Sequence, residues 1–124
     1  MSVETHTATD QAAIEDAVGH YFAAVERNDP EELARAFHAD CVMQSVQQGA
    51  LVRVTQPQWQ QRLAAAGAPA PATRRIESLE IAGTLAAVKA RATFATFEFI
   101  DRLLLLKVEG RWQIVAKAFH RVDR

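Results

Sequence analysis

Tyr21, Asp101, His38 and His120 are the residues of this 124-residue chain whose types and positions could do chemistry. Tyr21 shares a helical stripe with Val18 and Val25, and Asp101 alternates with Leu103 and Leu105 along a strand-like run. Both polar groups should therefore point into the space between that helix and that sheet. A carboxyl there is desolvated, which raises its pKa unless Arg102 or another cation reaches it. A protonated Asp101 beside the Tyr21 hydroxyl would offer two donors to a ligand carbonyl. The plainer alternative is a core tyrosine whose hydroxyl finds a partner, and an aspartate that satisfies backbone groups at the start of a strand.

His38 stands at a helix-to-strand junction, and His120 follows the parity of Ile114, Ala116 and Ala118, which assigns it to the inner face. Either could serve as an acid or base. The four histidines, His6, His20, His38 and His120, form neither an HExxH spacing nor a His/Cys cluster. His38 and Cys41 are three apart, but nothing nearby supplies a third ligand, so no metal is expected. Ser45 and Cys41 have no visible activating base for nucleophilic catalysis. Phe37, Met43, Trp59, Leu63 and Phe94 are large side chains suited either to the core or to the wall of a ligand pocket.

The elements that must hold these residues can be read in chain order. The first nine residues are polar and unpatterned, as in a flexible arm, and Asp10 offers an N-cap to the helix carrying Ile14, Val18, Tyr21, Phe22 and Val25. Asn28-Asp29-Pro30 stops this helix and starts a short second one, with Glu32 placed to complete a capping box. Cys41–Val46 and Leu51–Val54 form a small hairpin turning at Gly49. Thr55-Gln56-Pro57-Gln58 resembles another capping box, opening a third helix with Trp59 and Leu63 four apart and Gly67 at its end. After the extended Ala68-Pro69-Ala70-Pro71-Ala72, the pattern is strand to the end: Arg75 to Ala82, a turn near Gly83-Thr84, Ala86 to Ile100, then a long hairpin.

That hairpin spans Asp101 to His120 and turns at Glu109-Gly110. Regular antiparallel pairing sets Val108 opposite Arg111, Leu106 opposite Gln113 and Leu104 opposite Val115. One face then carries Asp101, Leu103, Leu105, Trp112, Ile114, Ala116 and Ala118. The other carries Leu104, Leu106, Val108, Val115 and Phe119 among Arg102, Gln113 and Lys117. Both faces are apolar, so the outer one calls for a further covering layer, and a homodimer through it is expected. Three helices followed by long strands make an α+β domain over residues 10–124, in which a cone-shaped curved antiparallel sheet wraps around the helices.

The length fits one domain, and the composition is 49% hydrophobic and 23% charged. Fourteen basic and fifteen acidic residues leave a net charge of -1, with Arg74-Arg75 the only adjacent basic pair, so no nucleic-acid footprint is expected. A single cysteine, Cys41, excludes an internal disulfide and suits a reducing compartment. The start lacks the pattern of a secretory signal, and no run reaches the ~18 apolar residues of a membrane span. A cytoplasmic location without membrane contact is the expectation.

Tyr21–Leu33, Phe37-His38-Ala39-Asp40-Cys41-Val42, Phe99–Leu103 and Gly110–Val115 together resemble the nuclear transport factor 2-like superfamily, closest to its putative lumazine-binding family of small bacterial proteins. The resemblance covers roughly residues 10–122. It implies a cystatin-like cone enclosing a pocket, commonly in a homodimer. Compared with ketosteroid isomerase, Tyr21 falls on the helix-one tyrosine that donates to the oxyanion and Asp101 on the protonated aspartic acid beside it. The position of the general-base aspartate falls on Ser45, which cannot shuttle a proton.

The leading expectation is a cone that binds a small, largely apolar or cyclic ligand through Tyr21, Phe37, Met43, Trp59, Leu63, Phe94 and Asp101. No cofactor is implied, and the chain has no dinucleotide-binding glycine pattern. One alternative is a lyase, isomerase or cyclase acting on a cyclic ketone or polyketide-like compound through Tyr21, Asp101 and His38 or His120. Another is a dimeric protein-interaction module.

Overall fold

The stripe of Ile14, Ala17, Val18, Tyr21 and Ala24 is buried along α1 (Val3–Arg27), because residues three and four apart fall on one helix face. The structure is a computed structural model that describes residues 3–124, with side chains from Thr9 onward. The arm expected over residues 1–9 lies partly outside the described residues, and α1 already begins at Val3. Asp10 is therefore inside the helix and does not cap it. Its buried Oδ1 accepts from Lys107 Nζ at 2.9 Å and Trp112 Nε1 at 3.1 Å, which ties α1 to the long hairpin.

Asp29 caps α2 (Pro30–Ala36), its Oδ1 accepting from the amides of Glu31 and Glu32. Such a cap is worth about 1 kcal/mol. Glu32 does not complete the expected box, because its carboxylate is taken by His20 at 2.5 Å and Arg35 at 2.9 Å. β1 (Phe37–Gln47) and β2 (Ala50–Thr55) form an antiparallel hairpin, and α3 (Gln56–Ala65) opens with the expected reciprocal bonds between Thr55 and Gln58. β3 (Thr73–Ala82), β4 (Leu85–Thr93), β5 (Phe97–Val108) and β6 (Arg111–Asp123) complete the chain.

The six strands form one curved, unclosed sheet in the order β2-β1-β6-β5-β4-β3. Every neighbouring pair is antiparallel except β1 and β6, which run parallel; no short turn joins these two, so nothing local constrains their direction. Leu33, Phe37, Val88, Leu103, Leu105, Trp112 and Ile114 meet the α1 stripe in a single core.

Two strand expectations need correction. The run from Ala86 to Ile100 is not continuous: β4 ends at Thr93, and the turn Phe94-Ala95-Thr96 leads into β5, closed by Phe94 N donating to Phe97 O at 2.9 Å. That turn contains none of the glycine, proline or asparagine residues that normally announce one. In the long hairpin the turn at Glu109-Gly110 and the first pairs fall as expected, with positive φ at both turn residues. Leu105 then pairs with Ile114, but Leu104 pairs with Ala116 and not with Val115. Val115 is the extra residue of a β-bulge, and the bulge exchanges the two faces for the rest of β6.

Lys117 is consequently buried on the inner face, and Phe119 is turned inward with it, while Ala118 and His120 are exposed outside. The outer apolar face is smaller than the expected set. It holds Leu104 at 45% exposure, Leu106 and Val108 at 38%, and Leu85 at 44%, which pairs with Leu106 across β4 and β5.

Candidate functional site

Helix phase brings Tyr21 to the inner side of α1, and strand alternation brings Asp101 to the inner side of β5. The Tyr21 hydroxyl donates to Asp101 Oδ2 at 2.6 Å, and both residues are buried. Asp101 lies well inside β5, four residues beyond its start, so it does not serve a strand end. Burial raises the Tyr21 pKa well above the usual phenol value, and the charge and hydrogen bond of Asp101 push it the same way. The tyrosine is thus held neutral, with its proton directed at the carboxylate. The other oxygen, Asp101 Oδ1, is buried without a hydrogen-bond partner among the described residues.

Lys117 enters this interior from β6 through the bulge at Val115. Its Nζ lies 4.5 Å from the ring centre of Trp59 and 4.8 Å from those of Tyr21 and Phe119. Three aromatic faces around one ammonium partly replace its lost hydration. Burial lowers the Lys117 pKa; nearby Asp101 and Cys41 oppose that shift, and Arg74 adds to it. Cys41, on β1, is also buried, and desolvation pushes its thiol up to about 11 against the pull of Lys117. Such a thiol is a core group and a poor nucleophile.

A cavity of about 350 Å³ opens beside Lys117, walled by Met43, Val54, Trp59, Leu63, Ala66, Phe99 and Phe119, with Arg62 at its exposed rim. Its volume falls within the range of small-molecule sites, about 300–1,000 Å³. A second, wider depression of about 620 Å³ shares Phe99 and Phe119 with it and is bordered by Ser45, Gln47, Arg121 and Asp123.

Met43, Trp59 and Leu63 are the expected pocket residues that form the wall itself. Phe37 and Tyr21 lie one layer deeper, packed edge-on against each other and against Trp59 with ring centres 5.2–5.8 Å apart. Asp101 reaches this layer through Tyr21. Phe94 belongs to a neighbouring cluster, stacked on Phe97 at 4.5 Å and edge-on to Phe99 at 5.7 Å.

The two histidines are not gathered here. His38 Nδ1 accepts from the Asp40 amide at 3.1 Å, within its own segment. His120, expected inside, faces outward beside Ile100, Arg102 and Ala118 because of the bulge. Ser45 is buried on β1, and its hydroxyl accepts from Gln47 Nε2 at 3.4 Å. Among the described residues, no group of three or more His, Cys, Asp or Glu side chains converges as a metal site, and no helix is long and apolar enough to cross a membrane.

Sequence reasoning missed Lys117, Phe99, Phe119, Val54 and Arg62. Phe99 was within reach, because it shares parity with Asp101. Lys117 and Phe119 were hidden by a bulge that no residue type marks.

Three helices on a curved, unclosed sheet define an α+β fold of the nuclear transport factor 2-like class. Residues 9–120 match the family described as "Putative lumazine-binding", and the chain belongs to that family. Solved structures agree with this placement. A nuclear transport factor 2-like protein of unknown function from Methylobacillus flagellatus is 30% identical, with a TM-score of 0.78 over 98% of this chain and 94% of that one. Another, from Silicibacter pomeroyi, is 26% identical over the whole of both chains with a TM-score of 0.79. A ketosteroid isomerase-like protein from Erwinia carotovora shares the fold at 15% identity and a TM-score of 0.73, covering 91% of this chain and 96% of that one. No curated protein matches the chain.

Proposed function

We propose that this protein binds a small, largely apolar cyclic molecule in the cavity between α3 and the inner sheet face, and that it does so as a homodimer. The observation that carries this reading is the cavity itself: about 350 Å³ walled by Met43, Trp59, Leu63, Phe99 and Phe119, with one buried polar group, Lys117. Apolar walls supply affinity and a single polar group supplies orientation, as in most small-molecule sites. The family description points the same way. The dimer rests on the outer apolar face of Leu85, Leu104, Leu106 and Val108.

A thermal-shift screen of cyclic ketones, phenols and aromatic acids tests the reading against wild type and Met43→Trp, which fills the cavity. Ligands should raise the melting temperature of wild type alone. Equal shifts in both proteins, or none in either, would remove the cavity from consideration.

The Tyr21–Asp101 bond favours a second reading, an isomerase or lyase of the ketosteroid isomerase type. Ser45 argues against it, since a hydroxyl held by Gln47 is no general base. Turnover of a cyclic enone by wild type, abolished in Tyr21→Phe, would establish that reading.

A further inference from the structure

The charged side chains that line the cavity itself share one sign. Of the residues lining it, Lys117 and Arg62 are basic and none is acidic. Lys117 is 8% exposed, and among the described residues its ammonium has no hydrogen bond and no carboxylate at ion-pair distance. Its contacts are the rings of Tyr21, Trp59 and Phe119. The one acid near enough to act on it, Asp101, has Oδ2 engaged by the Tyr21 hydroxyl. A largely buried side chain whose ammonium meets solvent only at the cavity has lost much of its hydration, and aromatic faces offset only part of that cost.

The geometry points to a ligand that is a monoanion, an aromatic or alicyclic carboxylate whose charge pairs with Lys117 while its ring lies against Trp59, Phe99 and Phe119. This rests on the ligand-binding reading above and specifies the chemical class of that ligand. Arg62 at the rim draws anions toward the mouth. A phosphate or other polyanion is a poor match, because the wall offers one buried cation and the Trp59 indole N–H, and is otherwise apolar. Pairing with a carboxylate would also favour the protonated form of Lys117, which burial alone disfavours.

The test compares a naphthalene carboxylate with its neutral primary amide by calorimetry, using wild type, Lys117→Met and Lys117→Arg. Wild type should bind the carboxylate at least about tenfold more tightly than the amide, the scale of a charge-assisted hydrogen bond. Lys117→Met should bind the two alike, and Lys117→Arg should keep most of the preference. In wild type the preference should fade as pH rises and Lys117 loses its proton. That arm stands even where Lys117→Met fails to fold. A preference that survives in folded Lys117→Met, or wild type that binds acid and amide equally, overturns the inference and leaves the cavity reading intact. Wild type that binds neither compound also overturns the inference, while the thermal-shift screen with Met43→Trp decides the cavity reading separately.

Discussion

Tyr21 and Asp101, eighty positions apart in sequence, share a buried hydrogen bond of 2.6 Å that joins the first helix to the middle of β5. Asp101 Oδ1 has no hydrogen-bond partner among the described residues, so the tyrosine provides the whole of the carboxyl group's hydrogen bonding there. Tyr21→Phe should destabilise the fold by about 1–3 kcal/mol, because both carboxyl oxygens are then buried unpaired. Asp101→Asn should cost less, since its amide oxygen can still accept from the hydroxyl. Urea unfolding measures both, and equal stabilities for Tyr21→Phe and wild type would show that this bond contributes nothing net.

Lys117 should weaken the empty protein. Lys117→Met removes a desolvated ammonium, keeps an apolar side chain of similar length, and should raise stability at neutral pH by about 1 kcal/mol. The sign of the pH dependence follows from the lowered pKa. The unfolded chain binds this proton more tightly, up to its ordinary value of ~10.4, so wild type gains stability as pH rises from the folded pKa toward that value. The advantage of Lys117→Met should therefore shrink over that window. Tyr21, with a raised pKa, acts in the opposite direction but is present in both proteins, so the difference isolates Lys117 together with its coupling to Asp101, Cys41 and Arg74. A constant difference across the window would refute the assignment.

Cys41 should resist alkylation in the native state. It is 1% exposed and its thiol is pushed up to about 11, whereas an ordinary thiol titrates near ~8.5. Mass spectrometry after iodoacetamide treatment at mildly alkaline pH should find native protein unmodified and urea-unfolded protein fully labelled. Rapid native labelling would mean that β1 opens locally.

Leu106→Glu should lower the mass measured by sedimentation at micromolar concentration from dimer to monomer. It places a charge in the centre of the outer apolar face, whose burial is worth ~25 cal/mol per Å² before the costs of association. His120→Ala, also on the outer side of β6, serves to map how far that interface extends. Wild type that sediments as a monomer would count against the dimer outright.

Features that depend on neighbours along the chain were legible before any tertiary contact was known. The stripe of Ile14, Val18 and Tyr21, the Asp29 cap, the Thr55–Gln58 box and the Glu109-Gly110 turn each follow from local chemistry, and together they imply three helices and a sheet. The encounter of Tyr21 with Asp101 was legible for the same reason, since helix phase and strand parity orient each side chain independently. Legibility ends at Val115. The β-bulge there sets two residues of β6 against one of β5, and no residue type announces it. One extra residue reversed the parity of everything after it, taking His120 out of the cone and bringing Lys117 and Phe119 in. The cavity and its charge arise from that reversal, because alternation carries a single shift in register along the rest of the strand.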